Sequence, residues 1–281
     1  MNGFPVLIPG LSALAADYDA LICDVWGVVH DGAKAHPSAV AALMRFRKER
    51  GPVVLLTNAP RSSQGIAAML RQLGVPDEAY DCIVSSGEAA REDLIARAHG
   101  SVLKLMHIGP ERDTPVFEGL NVALVGPEEA DVVLCTGLFD DDNETPEDYR
   151  AMLAIPKARG LDFICANPDL FAPRGGKLVP CAGGIAKVYE TLGGEVLYYG
   201  KPKPPIYATA LKAAGEGARV LIIGDALETD IAGANVMGLD TLFVAHGLHK
   251  DELGSVTPDS LARLFGHHGL KAKAAIDLLK W

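Results

Sequence analysis

The feature that most limits how this 281-residue chain can fold is an alternation: short apolar runs rich in β-branched residues give way to helix-like stretches almost from end to end. Residues 20–23, 52–56 and 82–84 read as strands. Each is followed by a segment suited to a helix, with apolar residues at three- and four-residue spacing in 37–50 and 62–73. Ser85, with Glu88 three positions on, offers a capping box for the next helix. Later, 196–199, 219–223 and 241–244 read as strands. Helices are expected over 205–214, 230–237 and 258–265, and a last amphipathic one over 270–279. Single strands separated by helices pair in parallel, because a parallel pair needs a crossover long enough to hold a helix. The expected class is α/β, a doubly wound parallel sheet with helices on both faces.

The middle third has its own pattern. Strands are expected at 102–108, 122–125, 132–135 and 162–166, with a helix over 146–157. Thr145 suits the cap of that helix, Pro146 its first position, and Glu147 and Asp148 its positive end. Turn-rich stretches at 139–144 and 167–180 interrupt the block. This organisation reads as a small α/β domain, 88–195, inserted into a larger discontinuous one, 1–87 and 196–281.

Composition narrows the function classes. An apolar fraction of 49% supports a sizeable core without disulfides. The net charge of −10 leaves no positive face to displace counterions from nucleic acid. No apolar stretch approaches the ~20 residues of a membrane span. The segment 1–20 lacks the basic start of a signal peptide. Cys23, Cys82, Cys135, Cys165 and Cys181 are far apart, and four adjoin apolar runs, as buried thiols in a reducing compartment would. The cytoplasm is the expected location.

Four signals fall where strands end, the edge at which doubly wound sheets build their sites. Asp24 follows 20–23, with Gly27 allowing a tight turn beyond it. Thr57 and Asn58 follow 52–56. Lys201 lies in the proline-flanked Gly200-Lys201-Pro202-Lys203-Pro204. Asp225 and Asp230 follow 219–223. If adjacent strands bring Asp24, Asp225 and Asp230 together, the three cannot all stay ionised without a cation. Oxygen ligands at a phosphate-handling site favour Mg²⁺. Thr57 and the Asn58 amide would then bind phosphate oxygens, and Lys201 would offset charge on the transferring group. A carboxylate attacking phosphorus gives an aspartyl-phosphate that water hydrolyses.

In these residues the chain resembles the haloacid dehalogenase-like superfamily over nearly its whole length. Within it, the likeness is to the C2-capped group that includes pyridoxal phosphate, nitrophenyl phosphate and NagD-type nucleotide phosphatases. The resemblance implies Asp24 as nucleophile, Thr57 as the phosphate-binding hydroxyl, Lys201 as the lysine of the third motif, and Asp225 and Asp230 as the acidic pair of the fourth. It implies Mg²⁺ held by Asp24, Asp225 and the main-chain carbonyl of Trp26, with Asp230 orienting metal-bound water. The insertion sits where the group carries its C2-type cap, and Asn167-Pro168-Asp169 resembles the cap loop that faces substrate. The implied substrate is a small phosphate ester, and relatives often pair through their caps as homodimers.

One position departs. These phosphatases carry a second aspartate two residues after the nucleophile, as general acid and base, and here that residue is Trp26. An indole transfers no proton, and a positioned acid is worth ~10²–10⁴-fold. Three readings follow: a phosphatase with a substitute acid, a neighbouring reaction such as C–P cleavage or phosphoryl transfer, or a phosphate-ester binder with low turnover. His30 and Asp31, in the flap-like stretch 28–32, are the nearest substitutes, although His30 also reads as an exposed turn residue. Trp26 would either stack on an aromatic substrate or pack under the cap. Arg174 and Lys177 would either contact substrate or be solvated loop charges. A dehydrogenase is disfavoured, since no Gly-x-Gly-x-x-Gly turn follows the first strand.

Overall fold

The computed structural model describes residues 4–174 and 177–281; Gly175 and Gly176, in the turn-rich stretch read around Arg174 and Lys177, and residues 1–3 lie outside the described residues. The chain runs through β1 (Val6–Leu7), β2 (Ala20–Asp24), α1 (Pro37–Glu49), β3 (Val53–Thr57), α2 (Ser63–Leu73), β4 (Cys82–Ser85) and α3 (Ser86–Arg97). Next come β5 (Leu103–Ile108), β6 (Val122–Leu124), β7 (Val132–Cys135), α4 (Arg150–Ala158), β8 (Phe163–Cys165), β9 (Phe171–Arg174), β10 (Lys177–Pro180), α5 (Ala182–Thr191) and β11 (Val196–Tyr198). The last third holds α6 (Pro204–Ala214), β12 (Val220–Gly224), α7 (Ala232–Val236), β13 (Asp240–Val244), α8 (Lys250–Leu253), α9 (Pro258–His268) and β14 (Ala274–Ile276).

Two compact units result. The first comprises residues up to Thr57, Ile66–Val84 and Lys201–Trp281. Its sheet has the order β1-β14-β13-β12-β2-β3-β4, and the pairings β2–β3, β12–β2, β12–β13, β13–β14 and β1–β14 are all parallel. Ala20, Ile22, Val54, Leu56, Val220 and Ile222 point to one face, where they pack with Ile206, Tyr207 and Ala210 of α6. Leu21, Cys23, Val53 and Leu55 alternate with them and are equally buried. Burial on both faces is why these strands read as unbroken apolar runs.

The second unit comprises Asn58–Gly65 and Ser85–Gly200. Its larger sheet, β11-β8-β7-β5-β6, is parallel throughout, and β9 and β10 form a separate antiparallel pair. Met106, Val133, Cys135, Phe163 and Cys165 pack with α4 and α5 on one face, and Leu103, Leu105, Val132 and Ile164 pack with α3 on the other. All five cysteines are free thiols. No helix among the described residues is long and apolar enough to cross a membrane.

The structure corrects four expectations. Residues 270–279 form no helix: Ala274–Ile276 are fully buried as β14, in a slot between β1 and β13. Pairing on both sides there outweighs the helix preference of alanine. The strand at 196–198 hydrogen-bonds to β8, Val196 against Phe163, so the junction expected at 195/196 falls after Gly200, and that expected at 87/88 falls before Ser85. An apolar run signals a strand without naming its neighbour. The stretch 167–180, read as turns, contains β9 and β10. Ser85 caps α3 by accepting from the Glu88 N–H (3.1 Å), but the Glu88 carboxylate leaves the capping box to accept from the Ser63 N–H (2.8 Å) and hydroxyl (2.9 Å).

Candidate active site

In the first unit, β12, β2 and β3 lie side by side in register, Ile223 against Cys23 and Cys23 against Leu55. Asp24 therefore ends β2, Thr57 ends β3, and Asp225 follows Gly224, the last residue of β12. Three buried apolar strands thus raise these polar residues to one carboxyl edge. Gly27 turns the chain away after Asp24 with φ +83°, and a Cβ there would lie 2.1 Å from Asp225 Oδ2, so both conformation and space require glycine. Lys201 enters from the segment before α6. Its Nζ is 2.5 Å from Asp24 Oδ1 and 2.6 Å from Asp230 Oδ1, with only 3% of the residue exposed. Asp230 lies in a π-helical turn, Leu227–Ile231, where a plain helix start was expected, and its Oδ2 accepts from the Ala226 N–H (3.2 Å). Asp225 Oδ2 accepts from the Leu248 N–H (2.7 Å).

One carboxylate oxygen from each of Asp24, Asp225 and Asp230 lies within 4.8 Å of the others, and all three residues are buried. Burial lifts Asp225 well above the usual carboxylate range, and the charges of Asp24 and Asp230 lift it further. Burial likewise raises Asp230, to about 6, although Lys201 opposes the rise. Burial works against the charge on Lys201, but Asp230 and Asp24 outweigh it, so the amine holds its proton far into the alkaline range. Three carboxylates and one ammonium carry a formal charge of −2, which one divalent cation cancels.

Trp26 is half-buried; its indole lies against Gly32 and meets the His30 ring at 5.1 Å and 67°. His30 is fully buried, which corrects the reading as an exposed turn residue. The turn folds back on itself through bonds from the Gly27 N–H to His30 O (2.8 Å) and from the Val29 N–H to Val25 O (2.9 Å). His30 Nδ1 accepts from the Gly32 N–H (2.9 Å), so the neutral ring carries its proton on Nε2, which has no hydrogen-bond partner among the described residues. Burial lowers the His30 pKa to about 4, and the imidazole is neutral at pH 7. Asp31 is exposed, and the N–H groups of Ala33 and Lys34 hold it ionised (2.9 Å each). Neither side chain is an acid at pH 7: Asp31 has lost its proton, and a neutral imidazole holds its Nε2 proton too tightly to give it to a leaving group.

The remaining residues of interest lie in the second unit. The Asn58 Nδ2 donates to Asp169 Oδ1 (2.8 Å), and the Asp169 N–H donates to Asn167 Oδ1 (3.2 Å). One N–H of the Asn58 amide is thus committed to this loop. Arg174 pairs with Asp141 (3.0 Å) and Asp142 (2.7 Å), while Lys177 is exposed. The turn at 247–249, which holds Asp225 through a backbone N–H, escaped the sequence reading; its only signal was that it too follows a strand.

The chain is similar to known proteins over most of its length. Residues 21–123 match the family profile described as haloacid dehalogenase-like hydrolase, and 198–264 match a related HAD-hydrolase-like profile. A crystal structure of a haloacid dehalogenase-like family hydrolase from Brucella suis is 42% identical, covers 97% of this chain and 100% of its own, and superposes with a TM-score of 0.85. The chain belongs to the haloacid dehalogenase-like hydrolases. Within that family it groups with the NagD-like members: the ribonucleotide monophosphatase NagD of Escherichia coli is 28% identical over 84% of this chain and 91% of its own length. The D-glycerol 3-phosphate phosphatase of Mycobacterium tuberculosis is also 28% identical, over 85% of this chain and 66% of its own. A glycerol phosphate phosphatase from that organism, crystallised in complex with magnesium, shares the fold at 24% identity and a TM-score of 0.69, covering 94% of this chain and 76% of its own.

Proposed function

We propose that this hydrolase is a magnesium-dependent phosphatase of small phosphorylated metabolites that works through an aspartyl-phosphate on Asp24. The observation that carries the reading is the buried meeting of Asp24, Lys201, Asp225 and Asp230 at one strand edge. The phosphatase names of the NagD-like relatives support the substrate class. The donor set fits Mg²⁺: all oxygen, buried, and short of one divalent charge. The carboxylates of Asp24 and Asp225 and the Trp26 carbonyl would hold the ion, with Asp230 beside it. When bound, Mg²⁺ would neutralise charge on the transferring phosphoryl group.

An Asp24 oxygen attacks phosphorus, the P–O bond to the leaving group breaks, and the phosphoryl group rests on the carboxylate. Lys201, already bonded to Asp24, balances the charge that gathers on the equatorial oxygens, and the Thr57 hydroxyl binds one of them. Water then attacks phosphorus, releasing inorganic phosphate and restoring Asp24. Because Trp26 occupies the place of the family's acid, and His30 and Asp31 are not poised to donate, esters with acidic leaving groups are the preferred substrates.

The test is direct. Asp24→Asn keeps the shape of the side chain but removes the nucleophile, and turnover of nitrophenyl phosphate with Mg²⁺ should fall below detection. Beryllofluoride should attach to Asp24 in the parent. Hydrolysis by purified Asp24→Asn at more than about a thousandth of the parent rate, the scale of losing a nucleophile, refutes the mechanism.

A further inference from the structure

The acidic pair of the first unit is braced from outside its own loop. After β13 the chain turns through Ala245-His246-Gly247-Leu248-His249 into α8, and two consecutive residues of this turn hold the loop after β12. The Leu248 N–H donates to Asp225 Oδ2 (2.7 Å). Gly247 lets the backbone come that close, since a Cβ there would sit 1.9 Å from the same oxygen. His249 Nε2 accepts from the Leu227 N–H (3.3 Å), and His249 Nδ1 faces Glu252 Oε2 at 2.9 Å.

The chemistry of the ring orders these contacts. A nitrogen that accepts from a backbone N–H carries no proton, so the neutral ring is protonated on Nδ1 and donates to Glu252. Leu227 is the first residue of the π-helical turn that carries Asp230, and its N–H is one of the donors a helix start leaves unpaired. His249 supplies the missing cap from a distant part of the chain. Its side chain is 12% exposed, so water competes weakly for that bond.

We infer that His249, oriented by Glu252, is a positioning residue for the metal site: it fixes the turn between Asp225 and Asp230 while its neighbour's N–H fixes the Asp225 carboxylate. The inference rests on the reading of this pair as the site of Mg²⁺. It places His249 in the role of the outer hydrogen-bond partners that orient metal ligands, whose loss typically costs metal affinity ~10–100-fold.

Two variants separate the acceptor from the ring. His249→Phe keeps the ring and removes the acceptor. His249→Gln returns an oxygen that reaches the Leu227 N–H. In metal-free protein, amide hydrogen exchange of a peptide spanning 225–231 should run about fivefold faster in His249→Phe, the factor expected from losing one ordinary hydrogen bond, and near the parent rate in His249→Gln. By calorimetry, His249→Phe should bind Mg²⁺ about 10-fold more weakly and His249→Gln within about threefold of the parent. Unchanged exchange and affinity in His249→Phe overturn the inference. So does a His249→Gln variant as impaired as His249→Phe. If the parent binds no Mg²⁺, the metal reading falls, and the exchange measurement alone decides whether His249 holds the turn.

Discussion

Lys201→Met should destabilise the metal-free protein strongly at pH 7 and weakly at pH 5. Methionine keeps the length of the side chain and removes the ammonium that now lies 2.5 Å from Asp24 and 2.6 Å from Asp230. Breaking a buried pair costs about 3–5 kcal/mol because it strands a charge. Proton uptake sets the scale. Asp230, held at about 6, needs only about 1.4 kcal/mol to take a proton at pH 7. Taking up a proton costs an ordinary aspartate about 4 kcal/mol at pH 7, which sets the scale for the charge stranded on Asp24. At pH 5 Asp230, raised to about 6, already carries its proton for the most part, and protonating an ordinary aspartate costs only about 1.5 kcal/mol. The loss should therefore be about 3–5 kcal/mol at pH 7 and about 1.5 kcal/mol at pH 5. Urea unfolding in EDTA, followed by tryptophan fluorescence, suits the case, because both tryptophans, Trp26 and Trp281, belong to the unit that holds the cluster. A difference between variant and parent that is the same at both pH values would refute the electrostatic account.

The metal-free parent should show two opposed acid effects. His30 has a folded pKa of about 4, below the unfolded value, so the unfolded chain binds more protons between about 4 and 6.5 and stability is lost as pH falls through that window. Asp230, raised to about 6, works the other way: its contribution is present at low pH and is lost as pH rises towards 6. His30→Asn, whose amide oxygen can still accept from Gly32, should therefore gain relative stability on acidification from pH 6.5 to 4.5, by about 2 kcal/mol; a parent-like pH profile would show that His30 titrates normally. Trp26→Asp should raise kcat/KM for alkyl phosphates relative to nitrophenyl phosphate by up to ~100-fold, since only poor leaving groups need the restored acid. An unchanged ratio in that comparison removes leaving-group protonation as the limit.

Much of the fold was legible because parallel strands buried on both faces leave continuous apolar runs, as in 20–23, 53–56 and 220–223. What stayed hidden was decided by partners far along the chain. Ala274–Ile276 carries alanines that favour a helix, and it becomes a strand only because β1 and β13, distant in sequence, leave a slot between them. β11 was visible as a strand, but nothing in Val196-Leu197-Tyr198 specifies Phe163–Cys165 as its neighbour. The pair β9 and β10 gave little signal: it begins with Phe171-Ala172-Pro173-Arg174, where a proline interrupts the run.

The site divides along a different line. Asp24, Asp225 and Lys201 could be picked out because side-chain identity at a strand end is written in the sequence, and the geometry then brings them within reach of one another. The Leu248 N–H is not written anywhere, since every residue except proline carries one, and only the turn at Gly247 aims it at Asp225. His30 shows the converse. Its residue type suggests a proton carrier, yet its place beneath Trp26, with Nδ1 taken by Gly32 and burial holding it neutral, removes that chemistry. The same turn that leaves Trp26 where an acid is expected has therefore also closed off the nearest histidine. On the proposed function, with the site's strong charges committed to one another and to a bound cation, the demand for a proton would pass to the substrate, and esters whose leaving group departs as a stable anion would be the ones turned over.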